Sequence, residues 1–147
     1  MAARHVQCLP VLSEQECAFW TAQVLALRPR WTRRDPQLPF YTLGLAAYLD
    51  AVRSEAELGG RRAYHLDALR LENNRLLRTH FGPLLERCCQ ALERHTGRPS
   101  RCLDGSAALP GFHIHLPHPV FTQDVASRHV DLQFRQVFGL EQPAPDQ

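Results

Sequence analysis

Ser106-Ala-Ala-Leu-Pro-Gly-Phe-His-Ile-His-Leu116 is the stretch on which the fold class turns. Residues 106–109 and 112–116 read as extended segments on either side of a Pro110-Gly111 break. In the second segment His113 and His115 alternate with Phe112, Ile114 and Leu116, so the two imidazoles share one face of a strand. Further on, residues 128–134 alternate weakly and read as another strand, with His129-Val130-Asp131 inside it.

Before Pro99 the pattern is helical. Residues 6–12 form a short strand or extended lead-in. Ser13 followed by Glu16 is then a capping box that starts a helix. Cys17, Trp20, Val24 and Leu27 fall on one side of that helix, and Pro29 ends it. Residues 31–48 are mixed, broken by Pro36 and Pro39. A short helix is expected over residues 45–52 and a turn at Gly59-Gly60. A second helix is expected over residues 67–80, carrying Leu69, Leu76 and Leu77. Pro83 suits the first turn of a third, with Leu84, Leu85, Cys88 and Leu92 as its apolar face and Gly97 as its stop. Residues 141–147 have the composition of a frayed tail. Helices first and strands after them indicate an α+β fold in one domain spanning residues 1–147.

Composition narrows the function classes. Apolar residues are 44% and charged residues 22% of the 147, a globular balance. The formal net charge of +2, with arginines scattered along the chain, gives no nucleic-acid footprint. All 17 basic residues are arginine, which excludes a lysine nucleophile or Schiff base. The five cysteines are odd in number and show no CxxC spacing, so neither a disulfide framework nor a thiolate zinc site is expected, and a reducing cytoplasm is the simplest setting. No signal peptide and no apolar run of roughly 20 residues is visible, so no membrane partner is expected.

The residues with chemical potential cluster late. His129 and Asp131, two apart on an extended segment, aim an imidazole and a carboxylate at one point. That is the geometry of two arms of a two-histidine, one-carboxylate facial triad, which leaves coordination positions of Fe(II) open. Other pieces precede it in order: residues 11–17 (Val-Leu-Ser-Glu-Gln-Glu-Cys), Pro39-Phe-Tyr-Thr-Leu-Gly44, Tyr48-Leu-Asp50, and Leu109-Pro-Gly-Phe-His-Ile114. Together with the HxD they resemble bacterial 2-oxoglutarate- and Fe(II)-dependent oxygenases of the prolyl-hydroxylase-like group.

The resemblance implies N-terminal helices packed on an incomplete double-stranded β-helix, a jelly-roll-like sheet. It implies Fe(II) bound by His129 and Asp131, 2-oxoglutarate as co-substrate, and a small-molecule or amino-acid-type substrate. By analogy, Tyr41, Tyr48 and His113 line the pocket. A second histidine and a basic anchor for 2-oxoglutarate belong further along in that family. The sixteen residues after Asp131 hold no histidine, and Arg135 lies too close to serve as the anchor. Residues 1–147 are therefore expected to be the N-terminal part of an oxygenase domain and inactive alone, as a fragment, a truncated product or a degenerate relative. No catalytic residue beyond the metal ligands is assigned.

Two other readings stand beside this one. A non-catalytic remnant that binds a partner would expose a sheet edge and could dimerise through it. A cupin-like metal binder would use His113 and His115, although residues 116–120 lack the glutamate that such a site needs.

Overall fold

Ser13 does what its position requires. Its Oγ accepts from the Glu16 amide at 3.3 Å, and the Glu16 carboxylate accepts from the Ser13 amide at 2.8 Å. This reciprocal pair opens α1 (Glu14–Ala26), so two of the amides left over at a helix start are satisfied locally. The coordinates are a computed structural model, which describes residues 8–50, 57–58, 61–62, 66–103, 105 and 107–123.

A single 3-10 turn (Arg28–Arg30), with Pro29 in its first turn, follows α1. Trp31 then folds back, and its indole N–H donates to the Val24 carbonyl at 3.1 Å. The chain continues through β1 (Thr32–Arg33), β2 (Phe40–Leu43) and a one-turn helix α2 (Ala47–Asp50). Between β1 and β2, the Asp35 carboxylate accepts from the Gln37 and Leu38 amides at 2.7 and 2.8 Å, the side-chain-closed turn that aspartate favours. Those amides, Leu38 first, hold its carboxyl below the usual carboxylate range. β3 (Glu57–Leu58) pairs antiparallel with β4 (Arg61–Arg62), while the Gly59-Gly60 turn lies outside the described residues.

The central helix corrects a sequence expectation. The sequence predicts two helices with a break at Pro83, whereas α3 (Asp67–Thr96) runs through as one helix of 30 residues. Asn74, Leu77, Phe81 and Leu85 form one buried stripe at helical spacing, so burial is continuous across the proline. Pro83 removes the amide that would bond to the Thr79 carbonyl. Both residues lie on the exposed side of the helix, where water can take that carbonyl, and the core on the other side offsets the cost. Gly97 ends α3 at φ +67°, its amide donating to the Glu93 carbonyl at 2.8 Å, as expected of a glycine stop.

β5 (Phe112–His115) completes a three-stranded antiparallel sheet in the order β1-β2-β5. Residues 107–109, expected as extended, form no strand. They are held instead by Asn74 of α3, whose side-chain amide donates to the Ala107 carbonyl at 2.9 Å and accepts from the Leu109 amide at 2.8 Å. One buried asparagine thus serves both polar groups of the backbone as a neighbouring strand would. Where β5 begins, its backbone crosses close to the end of β2. A Cβ on Gly111 would lie 2.2 Å from the Leu43 carbonyl oxygen, and Gly44 adopts φ +95°. Both positions therefore require glycine.

The core is built from Val24 of α1, Leu43 of β2, Leu77, Phe81 and Leu85 of α3, and Leu109, with Trp20, Trp31, Phe112 and Ile114 packed around it. Phe81 and Phe112 meet with ring centroids 4.6 Å apart. Glu16 of α1 also pairs with Arg87 of α3, an exposed clasp between the two helices. The Ser13 amide, the Arg87 guanidinium and the Ser13 hydroxyl together lower the Glu16 pKa to about 2. The result is a mixed α/β arrangement in which two helices pack on a small antiparallel sheet. Among the described residues, no helix is long and apolar enough to cross a membrane.

Candidate functional site

The β2–β5 register sets which side chains share a face. Phe40 stands opposite His115, Tyr41 opposite Ile114, Thr42 opposite His113, and Leu43 opposite Phe112. Because side chains alternate along a strand, Tyr41, Leu43, Phe112 and Ile114 take one face and Phe40, Thr42, His113 and His115 take the other. The first face carries the apolar residues that meet α1 and α3. The second carries the histidines, both of them exposed.

That second face has two parts. At one end Arg34 and Asp50 form a nearly buried ion pair, with side chains only 12% and 3% exposed. The guanidinium donates from Nη1 and Nη2 to the two carboxylate oxygens, each at 2.7 Å, and from Nε to Thr42 Oγ1 at 2.7 Å. Asp50 also accepts from the Ala46 amide at 2.7 Å. The turn and α2 after Gly44 therefore fold over the sheet and seal Thr42, which is buried although it lies away from α1 and α3. Every donor nitrogen of Arg34 is engaged, so its charge is matched inside the protein and it is poorly placed to anchor an outside carboxylate.

At the other end the groups are aromatic, with the two histidines exposed and Phe40 and Phe121 half-buried. His115 stacks on Phe40 with ring centroids 4.6 Å apart and planes 4° from parallel, and Phe121 meets His115 edge-on at 4.9 Å. The His113 ring lies 5.9 Å from that of Phe40, tilted by 44°. Past β5, His118 precedes a 3-10 turn (Pro119–Thr122), and its Nδ1 accepts from the Val120 amide at 3.2 Å. His118 is thereby used as a local cap, which leaves only Nε2 for any other role. Residues 115–119 together with Phe121 and Thr122 border an open depression of about 660 Å³ beside this row of rings.

The residues singled out from sequence are distributed as follows. His113 and His115 share a face, as expected of a strand. Tyr41 lies on the opposite face, against Trp31 with ring centroids 5.7 Å apart, so Tyr41 and His113 do not line one side of this sheet. Tyr48 lies in α2, and its side chain is outside the described residues. His129, Asp131 and the expected strand over residues 128–134 are also outside them. Among the described residues, no group of three or more histidine, cysteine, aspartate or glutamate side chains could hold a metal ion. The His113–His115 pair therefore gains no third donor there, and nothing described supports a cupin-type site.

Sequence reasoning missed three pairings: Arg34 with Asp50, Asn74 with residues 107–109, and Cys89 with Cys102. Each joins residues far apart along the chain, and none leaves a periodic trace. The only hint is Asp50, a charged residue at the end of an otherwise apolar short helix.

No protein-family model, no curated protein and no solved structure matches this chain.

Proposed function

We propose that this chain belongs to a 2-oxoglutarate- and Fe(II)-dependent oxygenase of the hydroxylase type, acting in the cytoplasm on a small-molecule or amino-acid-type substrate. One observation carries the reading on the structural side. The helices cover one face of the β1-β2-β5 sheet, and the other face presents His113 and His115 to solvent beside a half-buried Phe40. A double-stranded β-helix enzyme needs this division, with helices buttressing the outside of a sheet whose inner face looks onto the metal. The sequence adds His129 and Asp131, spaced two apart, shortly after the turn that follows β5.

The described residues do not by themselves fit an iron ion, since they supply no set of three ligating groups. In this proposal the ion rests on His129 and Asp131, and the inner sheet face contributes surroundings rather than ligands. His113 and His115 then shape and polarise the approach to the site. The Arg34–Asp50 pair fixes the far end of the face without exposing charge to it. With two protein ligands, residues 1–147 should bind a divalent metal weakly and exchange it readily, and turnover by this chain alone is not expected.

Anaerobic equilibrium dialysis with Fe(II) tests the reading. The expected result is one weakly held iron per chain, with affinity at least tenfold lower in His129→Ala and in Asp131→Ala but unchanged in His118→Ala. Binding that is indifferent to His129 and Asp131 would remove the oxygenase reading.

A second reading, a partner-binding domain without catalysis, is favoured by one specific feature. Among the described residues β5 has a strand neighbour on one side only. Self-association through that edge would appear in sedimentation as a dimer that His113→Pro dissolves, since the amide at 113 faces away from β2.

A further inference from the structure

We propose that Cys89 and Cys102 are a reversible dithiol–disulfide site that fastens the segment after α3 back onto the helix. This inference is independent of the oxygenase reading. The two sulfurs lie 3.8 Å apart, in van der Waals contact, and both residues are half-buried. Cys89 is on the inward-leaning side of α3, whereas its neighbour Cys88 is exposed, as is expected of adjacent helical positions. Cys102 arrives from the opposite direction: the chain turns at Gly97 and returns along the helix, where Cys102 packs against the core. Cys8, Cys17 and Cys88 are exposed, and no sulfur contact joins them to another cysteine among the described residues.

The surroundings admit a reagent. Both cysteines line a cleft of about 270 Å³ whose rim includes Arg78, Glu86, Arg101 and Ser100. A disulfide requires the sulfurs to close to about 2.05 Å, a movement that side-chain torsions of two cysteines already in contact can supply. The oxidant is a small disulfide of the glutathione type. One of the two thiolates attacks a sulfur of glutathione disulfide and displaces one glutathione thiolate. The second cysteine thiolate then attacks the protein sulfur of the mixed disulfide and displaces the other glutathione. Two electrons pass from the cysteine pair to glutathione disulfide, and the two thiol protons end on two molecules of glutathione. Dithiothreitol reverses the sequence.

The bond would close a ring over residues 89–102, with Arg94 and Arg101 inside it. A short covalent ring restricts the unfolded chain and tethers the returning segment. The midpoint of thermal unfolding should rise by about 5–10 °C on oxidation, with no such rise in Cys89→Ser.

The test equilibrates the full chain in glutathione buffers of rising disulfide content, then alkylates it and measures intact mass. Wild type should pass from five alkylated cysteines to three, with the loss of two hydrogens and no glutathione retained. Cys88→Ser should pass from four to two. Cys89→Ser and Cys102→Ser should each keep all four alkylated. After trypsin cuts at Arg94 or Arg101, the oxidised fragments should stay joined until reduced. Five alkylated cysteines at the most oxidising ratio would overturn the proposal. So would glutathione adducts without an internal bond, or pairing that depends on Cys88 in place of Cys89.

Discussion

The two faces of the β2–β5 pair alternate along the same two strands yet are held by different physics. On the helix side, Leu43, Phe112 and Ile114 are covered by Val24, Phe81 and their neighbours, and water exclusion does the work. On the opposite side, among the described residues, the deeply buried part is Thr42, covered by an ion pair of Arg34 with Asp50. Beyond that pair the face is a row of rings, with His113 and His115 exposed and Phe40 and Phe121 half-buried. An apolar face tolerates changes of shape by repacking, while a buried ion pair tolerates loss of both partners better than loss of one. The contrast separates a part of the molecule that holds the fold from a part left available for chemistry.

The largest effect should come from the helix side. Phe81→Ala removes a fully buried ring from the centre of the core and should cost about 4 kcal/mol in denaturant unfolding. On the other side, Asp50→Ala leaves the Arg34 guanidinium buried without its partner and should cost about 3 kcal/mol. The double replacement Arg34→Met with Asp50→Leu should recover most of that loss. If it is as unstable as the single variant, the pair does more than neutralise charge. Asn74→Ala strips the Ala107 carbonyl and the Leu109 amide of their partners and should cost about 2 kcal/mol, with faster hydrogen exchange at Leu109. His115→Ala should cost under about 1 kcal/mol, because the ring is exposed and is held mainly by its stack on Phe40.

The smallest effect is a pH dependence. The Glu16 carboxyl is held at about 2 in the folded protein, below its unfolded value. A group depressed in this way contributes stability above its unfolded pKa and loses it as pH falls through its folded one. Glu16→Gln should therefore lower the unfolding midpoint slightly at pH 6 and make no difference near pH 2. An unchanged gap across that interval would show that the Arg87 contact, which is exposed, contributes through packing rather than charge.

Local signals were legible in the sequence. The capping box at Ser13 and Glu16, the stop at Gly97, the short helix near residue 47 and the strand at residues 112–115 all follow from residue types within one turn or one pleat. Pro83 misled because a proline is a local signal, whereas the buried stripe that carries α3 through it depends on the sheet beneath. The strands at 32–33 and 40–43 were hidden by Pro36 and Pro39, which mark the turn between them. Of the candidate site, the alternation of His113 and His115 was readable, but the Arg34–Asp50 cover was not. An ion pair formed sixteen residues apart leaves no periodicity to read.

The most direct test is paramagnetic broadening of histidine and tryptophan ring signals by Mn(II), which competes for iron sites of this type. Mn(II) at low stoichiometry should broaden the imidazoles of His113 and His115, leave the Trp31 indole on the helix side sharp, and lose this effect in His129→Ala. Broadening that persists in His129→Ala, or that reaches Trp31 before the two histidines, would contradict the oxygenase reading.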